Sequence, residues 1–281
     1  RDEMTIPGFP RHFATSMELG GVSRPLLVRS NDGRPTKVAG NPLHRESLGS
    51  ADTFAHASIL ELCDPERAKT PTHQGDEKSW DELFAALKPK LAAARAQGGK
   101  GVAVLSGSTS SSVVSDLRAE FVKAFPQATW VDWEPATLDA MFEGTRMAYG
   151  QPMRPHYDLA QADVILGLDA DLMGLFPEQQ RLTRAWASRR DPGGKMSRFY
   201  AVECMFTATG SAADHRLALP SSQIESFALA LEERLAGRAP KSSLSAQADK
   251  FLKALADDIK SREGRAVVIA GPQQPATVHA L

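Results

Sequence analysis

Apolar and polar positions divide the chain into an N-terminal part with short, extended runs and a longer part with repeated strand–helix patterns. In the first part, residues 26–30 and 36–39 are predicted strands joined through Asn31, Asp32 and Gly33. Asp-Gly accepts the positive φ of a hairpin turn, so this junction favours two antiparallel strands. Prolines are frequent around them, and we expect extended chain over residues 1–75.

Helical and strand periodicities alternate over the rest of the chain. Ser79 and Glu82 have the spacing of a capping box before an apolar stripe of helical period, in which Pro89 should introduce a kink. Short apolar runs indicate strands buried on both faces. The predicted strands are 102–106, 129–133, 163–168, 198–204 and 266–270, and the predicted helices are 112–125, 138–149, 178–189, one opened by Ser222 and Glu225, and one over 251–259.

Repeated β–α units predict an α/β fold with largely parallel sheets and helices on both faces. We expect three parts: an extended, β-rich segment 1–75; a first, incomplete α/β domain formed by 76–133 plus 262–281; and a second, Rossmann-like α/β domain 134–261. The last predicted strand precedes Leu281 without the helix that should cover it. We therefore expect the chain to be part of a longer protein.

Composition excludes several classes of function. The 281 residues have a formal net charge of −1, which gives no electrostatic case for binding nucleic acid. No apolar run is long enough for a direct membrane span. The cysteines, Cys63 and Cys204, cannot form a disulfide framework, a zinc ribbon or a four-thiolate cluster, and the seven histidines lack metal-ligand spacing.

Parallel sheets bind ligands at the carboxyl ends of their strands. Four such ends could line one crevice: Gly107-Ser108-Thr109-Ser110-Ser111-Ser112, Asp169-Ala170-Asp171, Thr207-Ala208-Thr209-Gly210 and Gly271-Pro272-Gln273-Gln274. The first could cradle a phosphate with its backbone amides, but it has neither a P-loop lysine nor G-x-G-x-x-G spacing. A tight strand–helix turn with serine caps is the favoured interpretation.

Other chemically capable residues have simpler structural interpretations. Asp169 and Asp171 could hold a divalent cation, but two carboxylates more often cap a helix or bind loop amides. Asp214, His215 and Arg216 could suggest acid–base chemistry, although no nucleophile is placed beside them; a turn before a strand at 217–219 is favoured. Cys204 is predicted to be an unreactive core thiol and Cys63 to be more exposed, while Trp130 and Trp133 are predicted to pack in the core.

Several motifs resemble the molybdopterin oxidoreductases. Residues 24–68 resemble that family's N-terminal segment: a strand, a turn, "DGR…K…GNP.H", a short loop and "L.DP.R". Further resemblances are "SWDELFAAL" at 79–87, "GVAVLSGSTSS" at 101–111, "YDLAQADVILGLDADLMG" at 157–174 and "YAVECMFTATGSAADHRLALPSSQIESFALAL" at 200–231. The resemblance implies Rossmann-type parallel sheets flanked by helices, with a small β-rich segment at the N-terminus.

The departures from this family fall at its functional positions. Asp52 stands where active enzymes place the last cysteine of an iron–sulfur cluster, and Phe54 stands where a lysine usually follows. The family's Asp-Pro-Arg is Glu203-Cys204-Met205 here, and its Pro-Gly-Thr-Asp is Pro220-Ser221-Ser222-Gln223. Within 134–149, where active enzymes offer a molybdenum ligand, only Thr137 and Thr145 carry hydroxyls. We therefore assign no catalytic, cofactor-binding or metal-binding residue.

The phrases "FATSMELGGVSRPLLVRSNDGRPTKVAGNPLHRESLGSADTFAHASILELCDPER" at 13–67 and "TGSAADHRLAL" at 209–219 are especially similar to one branch of the family. That branch is the molybdopterin-oxidoreductase-like N-terminal part of the large iron–sulfur subunit of alternative complex III. That resemblance implies a module without cofactor or activity of its own in a quinol-oxidising complex on the periplasmic side of the bacterial inner membrane. The expected partners are a multiheme cytochrome and quinol-binding membrane subunits, with iron–sulfur clusters in a separate C-terminal part and hemes in the partners. The alternatives are a divergent molybdenum or tungsten bis-pterin oxidoreductase and a nucleotide-binding α/β domain.

Overall fold

The computed structural model describes residues 6–19, 21–44, 47–109 and 111–281. The chain divides into two compact units, Arg1–Glu134 and Pro135–Leu281. Ser110 of the predicted serine-rich turn, and Arg45 and Glu46 of the segment that resembles the family's N-terminal region, lie outside the described residues. Of the helices in the described ranges, none has the length and apolar character needed to cross a membrane.

The N-terminal unit opens with a three-stranded antiparallel sheet in the order β1 (Arg11–Leu19), β2 (Val22–Asn31) and β3 (Arg34–Gly40). Asp32 and Gly33 join β2 to β3 with φ of 49° and 81°, which confirms the predicted hairpin turn. The two predicted strands lie inside β2 and β3. Strand β1 escaped prediction because its side chains are mostly exposed, so its sequence shows no alternation of apolar and polar positions.

Helix α1 (Thr53–Cys63) packs against this sheet, where the family resemblance predicted a short loop. Asp52 begins the helix, because its Oδ1 accepts a hydrogen bond from the backbone N–H of Ala55 at 2.7 Å. Ala55 is fully buried against Leu26 and Val38. The implied loop therefore ends at Asp52, and the helix after it was not predicted, although an aspartate cap directly before an apolar run signals it.

A small hairpin, a long helix and a pair of parallel strands complete the N-terminal unit. They are β4 (Thr72–His73), β5 (Asp76–Glu77), α2 (Trp80–Ala96), β6 (Ala103–Ser106), α3 (Ser112–Ala124) and β7 (Thr129–Asp132). Ser79 and Glu82 form the predicted capping box before α2, which continues through Pro89. Strands β6 and β7 pair in parallel, with Leu105 opposite Val131.

The two tryptophans at the end of this unit differ in burial. Trp130 on β7 packs edge-on against Phe121 of α3, with ring centroids 5.4 Å apart. Trp133 is 60% exposed, so the prediction that it packs in the core is wrong. The strand ends at Asp132, and Trp133 therefore lies beyond the part of the chain that α3 covers.

The C-terminal unit is built on a parallel sheet with the strand order β10–β9–β8–β11. The strands are β8 (Val164–Leu168), β9 (Arg198–Glu203), β10 (His215–Ala218) and β11 (Ala266–Ala270). The helices are α4 (Asp139–Tyr149), α5 (Gln179–Ala187), α6 (Ala208–Ala212), α7 (Ser221–Leu235), α8 (Ala246–Ser261) and α9 (Ala276–Ala280). These elements confirm the predicted α/β class.

Two apolar clusters cover the two faces of this sheet. Val164, Leu166 and Leu168 pack on one face with residues of α7 and α8, whereas Ile165 packs on the other with Leu182 of α5. Because side chains of a strand alternate between faces, a strand between two helical layers must be apolar at every position. Strand β8 is buried throughout, which explains why its sequence reads as a continuous apolar run.

The placement of β11 corrects the predicted domain division. Residues 262–281 were grouped with 76–133, but β11 pairs with β8, with Ala266 opposite Val164. Arg265 fixes this register because its Nε lies 2.7 Å from a carboxylate oxygen of Asp163, the residue before β8. The apolar sequence of a strand does not specify which strand it pairs with, so periodicity alone could not assign β11 to this sheet.

Helix α9 follows β11, where the sequence predicted no covering helix. It packs closely on α4: a side chain at Gly144 would collide with Cβ of His279. The predicted capping of α7 by Ser222 and Glu225 is also wrong. Among the described side chains none caps α7 by a hydrogen bond, and the carboxylate of Glu225 instead accepts a hydrogen bond from the hydroxyl of Thr277.

Candidate functional site

Three of the four predicted strand ends meet at the carboxyl edge of the parallel sheet in the C-terminal unit. Asp169 follows β8 and has a left-handed backbone conformation, with φ of 51°. Its side chain and backbone contact the segments after β9 and β11, and Asp171 contacts Thr209 at the start of α6. The convergence predicted for Asp169–Asp171, Thr207–Gly210 and Gly271–Gln274 is thus confirmed.

The carboxylate of Asp169 joins three segments of the chain. It accepts hydrogen bonds from the backbone N–H of Cys204 at 3.0 Å, Nε2 of Gln274 at 3.0 Å and Oγ of Ser221 at 3.2 Å. Asp169 is 7% exposed, and its burial raises the pKa, but the hydrogen bonds, led by those from Cys204, outweigh burial and hold the pKa below its usual value. The lowered pKa favours the ionised carboxylate, whose charge is stabilised by hydrogen bonds from uncharged donors.

Close backbone packing supports this arrangement. A Cβ at Gly271 would collide with the carbonyl oxygen of Asp169, so the turn after β11 requires glycine. Nε2 of Gln273 donates to the same carbonyl at 2.5 Å. Both contacts explain how a strained, left-handed aspartate is held in place at the end of β8.

Asp171 lies in the loop between β8 and α5 and binds that loop to the start of α6 rather than forming a separate centre. Its carboxylate accepts hydrogen bonds from Oγ1 of Thr209 at 2.8 Å and from the backbone N–H of Leu175 at 3.2 Å. Among the described residues, no group of three or more His, Cys, Asp or Glu has an arrangement that could hold a metal ion. The geometry supports the interpretation that Asp169 and Asp171 accept hydrogen bonds from donors in the surrounding loops.

Glu203 occupies the position of the family's Asp-Pro-Arg aspartate and is only 3% exposed. Its carboxylate accepts hydrogen bonds from Nε of Arg216 at 2.5 Å and Oγ1 of Thr207 at 2.6 Å. Thr207 also caps α6 by accepting a hydrogen bond from Gly210, where a Cβ would collide with the Glu203 carboxylate. The space beside the Thr207–Gly210 segment is therefore occupied by the carboxylate of Glu203.

Cys204 is exposed, so the prediction of a core thiol is wrong; Cys63 is exposed as predicted. The chain turns out of the sheet at Glu203, the last residue of β9, which leaves Cys204 at the surface. The thiol donates a hydrogen bond to Asp169 at 3.6 Å. That bond raises the pKa of Cys204, and partial burial raises it further, which disfavours the nucleophilic thiolate.

The residues of the Asp214-His215-Arg216 stretch contact separate partners rather than one another. Asp214 accepts hydrogen bonds from the backbone N–H of Phe199 at 2.8 Å and from Arg190 at 2.8 and 3.0 Å. His215 stacks on Tyr200 with ring centroids 4.8 Å apart, whereas Arg216 binds Glu203. Of the three residues predicted to form a turn, only Asp214 lies before β10. His215 and Arg216 belong to the strand, which therefore begins two residues earlier than predicted. These contacts tie β10 to β9.

The fourth strand end, at Gly107–Ser112, lies in the N-terminal unit beside a cavity of 260 Å³. Two backbone N–H groups that could bind a phosphate are already paired: Ser108 donates to Glu134 at 2.6 Å and Ser111 to Oγ1 of Thr109 at 3.1 Å. Oγ of Ser111 caps α3 by accepting a hydrogen bond from Val114. The carboxylate of Glu134 would repel an anion here, so the geometry supports a capped turn.

Arg118, the cation lining this cavity, is also paired. Its Nη1 lies 2.7 Å from a carboxylate oxygen of Asp132, and its guanidinium lies over the ring of Trp130 at 5.2 Å. The hydrogen bond from Arg118 is the main cause of a lowered pKa at Asp132. This part of the cavity wall is thus the Arg118–Asp132 ion pair, with the guanidinium lying over the ring of Trp130.

Two positions singled out by the family resemblance have internal partners that the sequence did not reveal. The carboxylate of Asp52 forms an ion pair with Arg24, in addition to capping α1. Thr145 is buried, and its hydroxyl donates at 2.9 Å to the carbonyl of Phe142 and accepts from the N–H of Met153, also at 2.9 Å. Asp52 and Thr145 thus both bind neighbouring groups of the chain itself.

Comparison with known proteins places this geometry in a fold class. The chain is 27% identical over 256 residues to the menaquinone reductase, molybdopterin-binding-like subunit of Nitratidesulfovibrio vulgaris, a match that covers 88% of this chain and 36% of that protein. Acetylene hydratase from Pelobacter acetylenicus aligns over 96% of this chain and 40% of its own, with a TM-score of 0.53 and 13% identity. No protein-family profile matches.

These likenesses establish a molybdopterin oxidoreductase-like fold. The chain spans little more than a third of the length of the curated relative.

Proposed function

We propose that this chain is a cofactor-free structural module of a quinol- or menaquinone-linked oxidoreductase complex, in which it holds electron-transfer subunits in place. The observation that carries the proposal is that residues at the family's ligand positions are engaged within the chain. Asp52 stands at the position of the cluster cysteine, but it caps α1 and pairs with Arg24. Thr145 lies where a molybdenum ligand is offered, but its hydroxyl binds backbone groups of Phe142 and Met153.

The donor chemistry supports the same proposal. An iron–sulfur cluster is held by cysteine thiolates, whereas Asp52 supplies a carboxylate already neutralised by a guanidinium. At the carboxyl edge of the sheet, Glu203 and Asp169 each accept several hydrogen bonds from the chain itself. These residues do not fit a bis-pterin molybdenum centre or a cluster, and we derive no redox step through them.

The proposed setting is a respiratory complex on the periplasmic side of the bacterial inner membrane, of the alternative complex III type. Its multiheme cytochrome and quinol-binding membrane subunits would be the partners, with iron–sulfur clusters in another part of the assembly. The relative named as a menaquinone reductase subunit supports the quinone-linked part of this setting. The sequence phrases shared with the alternative complex III subunit support the rest.

The first test is elemental analysis of the native complex by mass spectrometry, expressed per copy of this chain. The proposal predicts no molybdenum or tungsten, with iron recovered only in the separated partner subunits or a cluster-bearing segment. Stoichiometric molybdenum or tungsten in the fraction that carries this chain would overturn it and favour a divergent bis-pterin oxidoreductase.

A second test separates scaffolding from catalysis. Deleting the chain should release the cytochrome subunit from the membrane complex, because the proposed role is assembly. Replacing the exposed hydroxyl by Thr137→Ala should leave quinol oxidation by the assembled complex unchanged. A complex that assembles fully without the chain, or loses turnover but keeps its subunits in the Thr137→Ala variant, would contradict the scaffold role.

A further inference from the structure

Strand β1 is an edge of the antiparallel sheet in the N-terminal unit. Within the described part of the chain it pairs only with β2, so its other side presents a row of backbone N–H and C=O groups that no strand binds. Its nine residues exceed the usual strand length of about five to six. The register of β1 with β2 is unbroken, whereas β2 and β3 shift at Arg29 and Ser30. This edge is therefore long and regular.

The sequence of β1 offers little protection against pairing with another strand. Natural proteins shield an edge strand with lysine, proline, a β-bulge or a very short length. The strand, RHFATSMEL, contains neither lysine nor proline, and its charged residues, Arg11 and Glu18, lie near its two ends. Seven of its nine side chains are exposed to solvent. An edge with these properties is suited to the addition of a further strand.

The sequence of β1 is also complementary to itself in the antiparallel direction. When two copies pair about a two-fold axis at Thr15, all nine residues of each strand have a partner. His12 then lies opposite Glu18, and Phe13 lies opposite Met17. An acid–base pair and a sulfur–aromatic pair both stabilise neighbouring strands, and the symmetry repeats each of them. Moving the axis to position 14 or 16 breaks both pairs.

The two faces of such a sheet would also match. Met17 packs with the buried cluster around Ala55, on the face that α1 covers. Phe13 is four positions away and therefore on the same face, yet it is 47% exposed. Contact between Phe13 and Met17 of a second copy would extend the apolar cluster across the axis. His12 and Glu18 lie on the opposite face, where both are exposed to solvent.

We propose that β1 is a dimerisation surface, at which two copies of this chain join their three-stranded sheets into one continuous antiparallel sheet. The second copy is the chosen occupant because the pairs of His12 with Glu18 and of Phe13 with Met17 follow when the added strand has this same sequence. A contact of this kind uses the same surface on both copies and is closed by its two-fold symmetry. The inference concerns the N-terminal unit alone and does not depend on the proposed electron-transfer role.

The first test is cross-linking through Thr15→Cys in the natural full-length protein, isolated with its partners. Opposite residues of paired strands have Cβ atoms about 4.5–5.5 Å apart, so a short bis-maleimide should join the two thiols at the axis. Cys63 and Cys204, both exposed, are replaced by serine in every sample. The matched control is Thr36→Cys, an exposed threonine on β3 at the other edge of the sheet. We expect a covalent dimer of this chain from position 15 and little or none from position 36.

The second test exchanges charges across the axis. His12→Glu places a like charge opposite Glu18 at two symmetric positions and should weaken association about tenfold. Adding Glu18→Lys restores opposite charges and should recover the association of the natural protein. Analytical ultracentrifugation of the complex over a dilution series measures the association constant. Recovery in the double variant is a result that a role in folding of the single chain would not produce.

Equal cross-linking at positions 15 and 36, no dimer from position 15, or a link from position 15 to a different protein would overturn the proposal. Unchanged association in His12→Glu, or no recovery in the double variant, would contradict the paired register. Finding molybdenum in the complex would refute the proposed function but leave all of these results unchanged.

Discussion

Loss of the Asp169 side chain is expected to destabilise the C-terminal unit. Asp169→Ala leaves Nε2 of Gln274, a residue that is 1% exposed, without its 3.0 Å acceptor, whereas Cys204 and Ser221 are exposed to solvent. An unpaired buried donor costs about 1–3 kcal/mol, and a left-handed backbone costs alanine about 1–2 kcal/mol more. We therefore expect the free energy of unfolding of this unit to fall by about 2–5 kcal/mol.

Asp169→Asn is the matched control, because asparagine tolerates the left-handed conformation and keeps one oxygen that can accept from Nε2 of Gln274. It loses the negative charge and one of the two acceptor oxygens, for which we expect a cost of about 1–2 kcal/mol. Hydrogen exchange at increasing urea, measured on peptides from β8 and β9, gives the free energy for this unit alone. A loss below about 0.5 kcal/mol for Asp169→Ala, or equal losses for both variants, would refute the reasoning.

Three further predictions concern separate contacts. Hydrogen bonds from Arg265, and then from Arg189, lower the pKa of Asp163 to about 2. An unfolded aspartate has a pKa of about 3.9, so the stability that Asp163 contributes should be complete above that pH and disappear as the pH falls towards 2. In a plot of the free energy of urea unfolding against pH, Asp163→Asn should therefore reduce the loss of stability on the acid side. Asp52→Ala should destabilise the N-terminal unit by about 3 kcal/mol, and Asp52→Asn by less because it keeps the cap; equal losses in exchange from α1 peptides would contradict this. Gly144→Ala should cost about 1–3 kcal/mol, because its methyl would collide with His279, and it should speed exchange in α9; unchanged exchange would exclude that packing role.

Local signals in the sequence predicted much of the secondary structure. Asp32-Gly33 specified the β2–β3 turn, Ser79 and Glu82 specified the start of α2, and the continuous apolar run of β8 indicated a strand covered on both faces. These features depend on a few neighbouring residues or on burial from both sides. They are therefore encoded in short stretches of sequence.

The features that escaped prediction depend on distant residues. The partner of β11 is fixed by register and by the Arg265–Asp163 ion pair, across about 100 positions. Cys204 was misplaced because its exposure depends on where β9 ends, and strand ends are poorly defined by an apolar run. At the candidate site, the sequence located the strand ends that converge, but not the Ser221 and Gln274 side chains that bind the Asp169 carboxylate.

The pairing of β8 with β11 also affects the order in which the protein can fold during synthesis. Strand β8 meets β9 soon after it leaves the ribosome, but its other edge waits for β11, about 100 residues later. At about 5–20 residues per second, that edge stays open for about 5–20 s. An apolar strand with a free edge attracts other strands, so a nascent chain of this protein should depend on a chaperone bound during that interval.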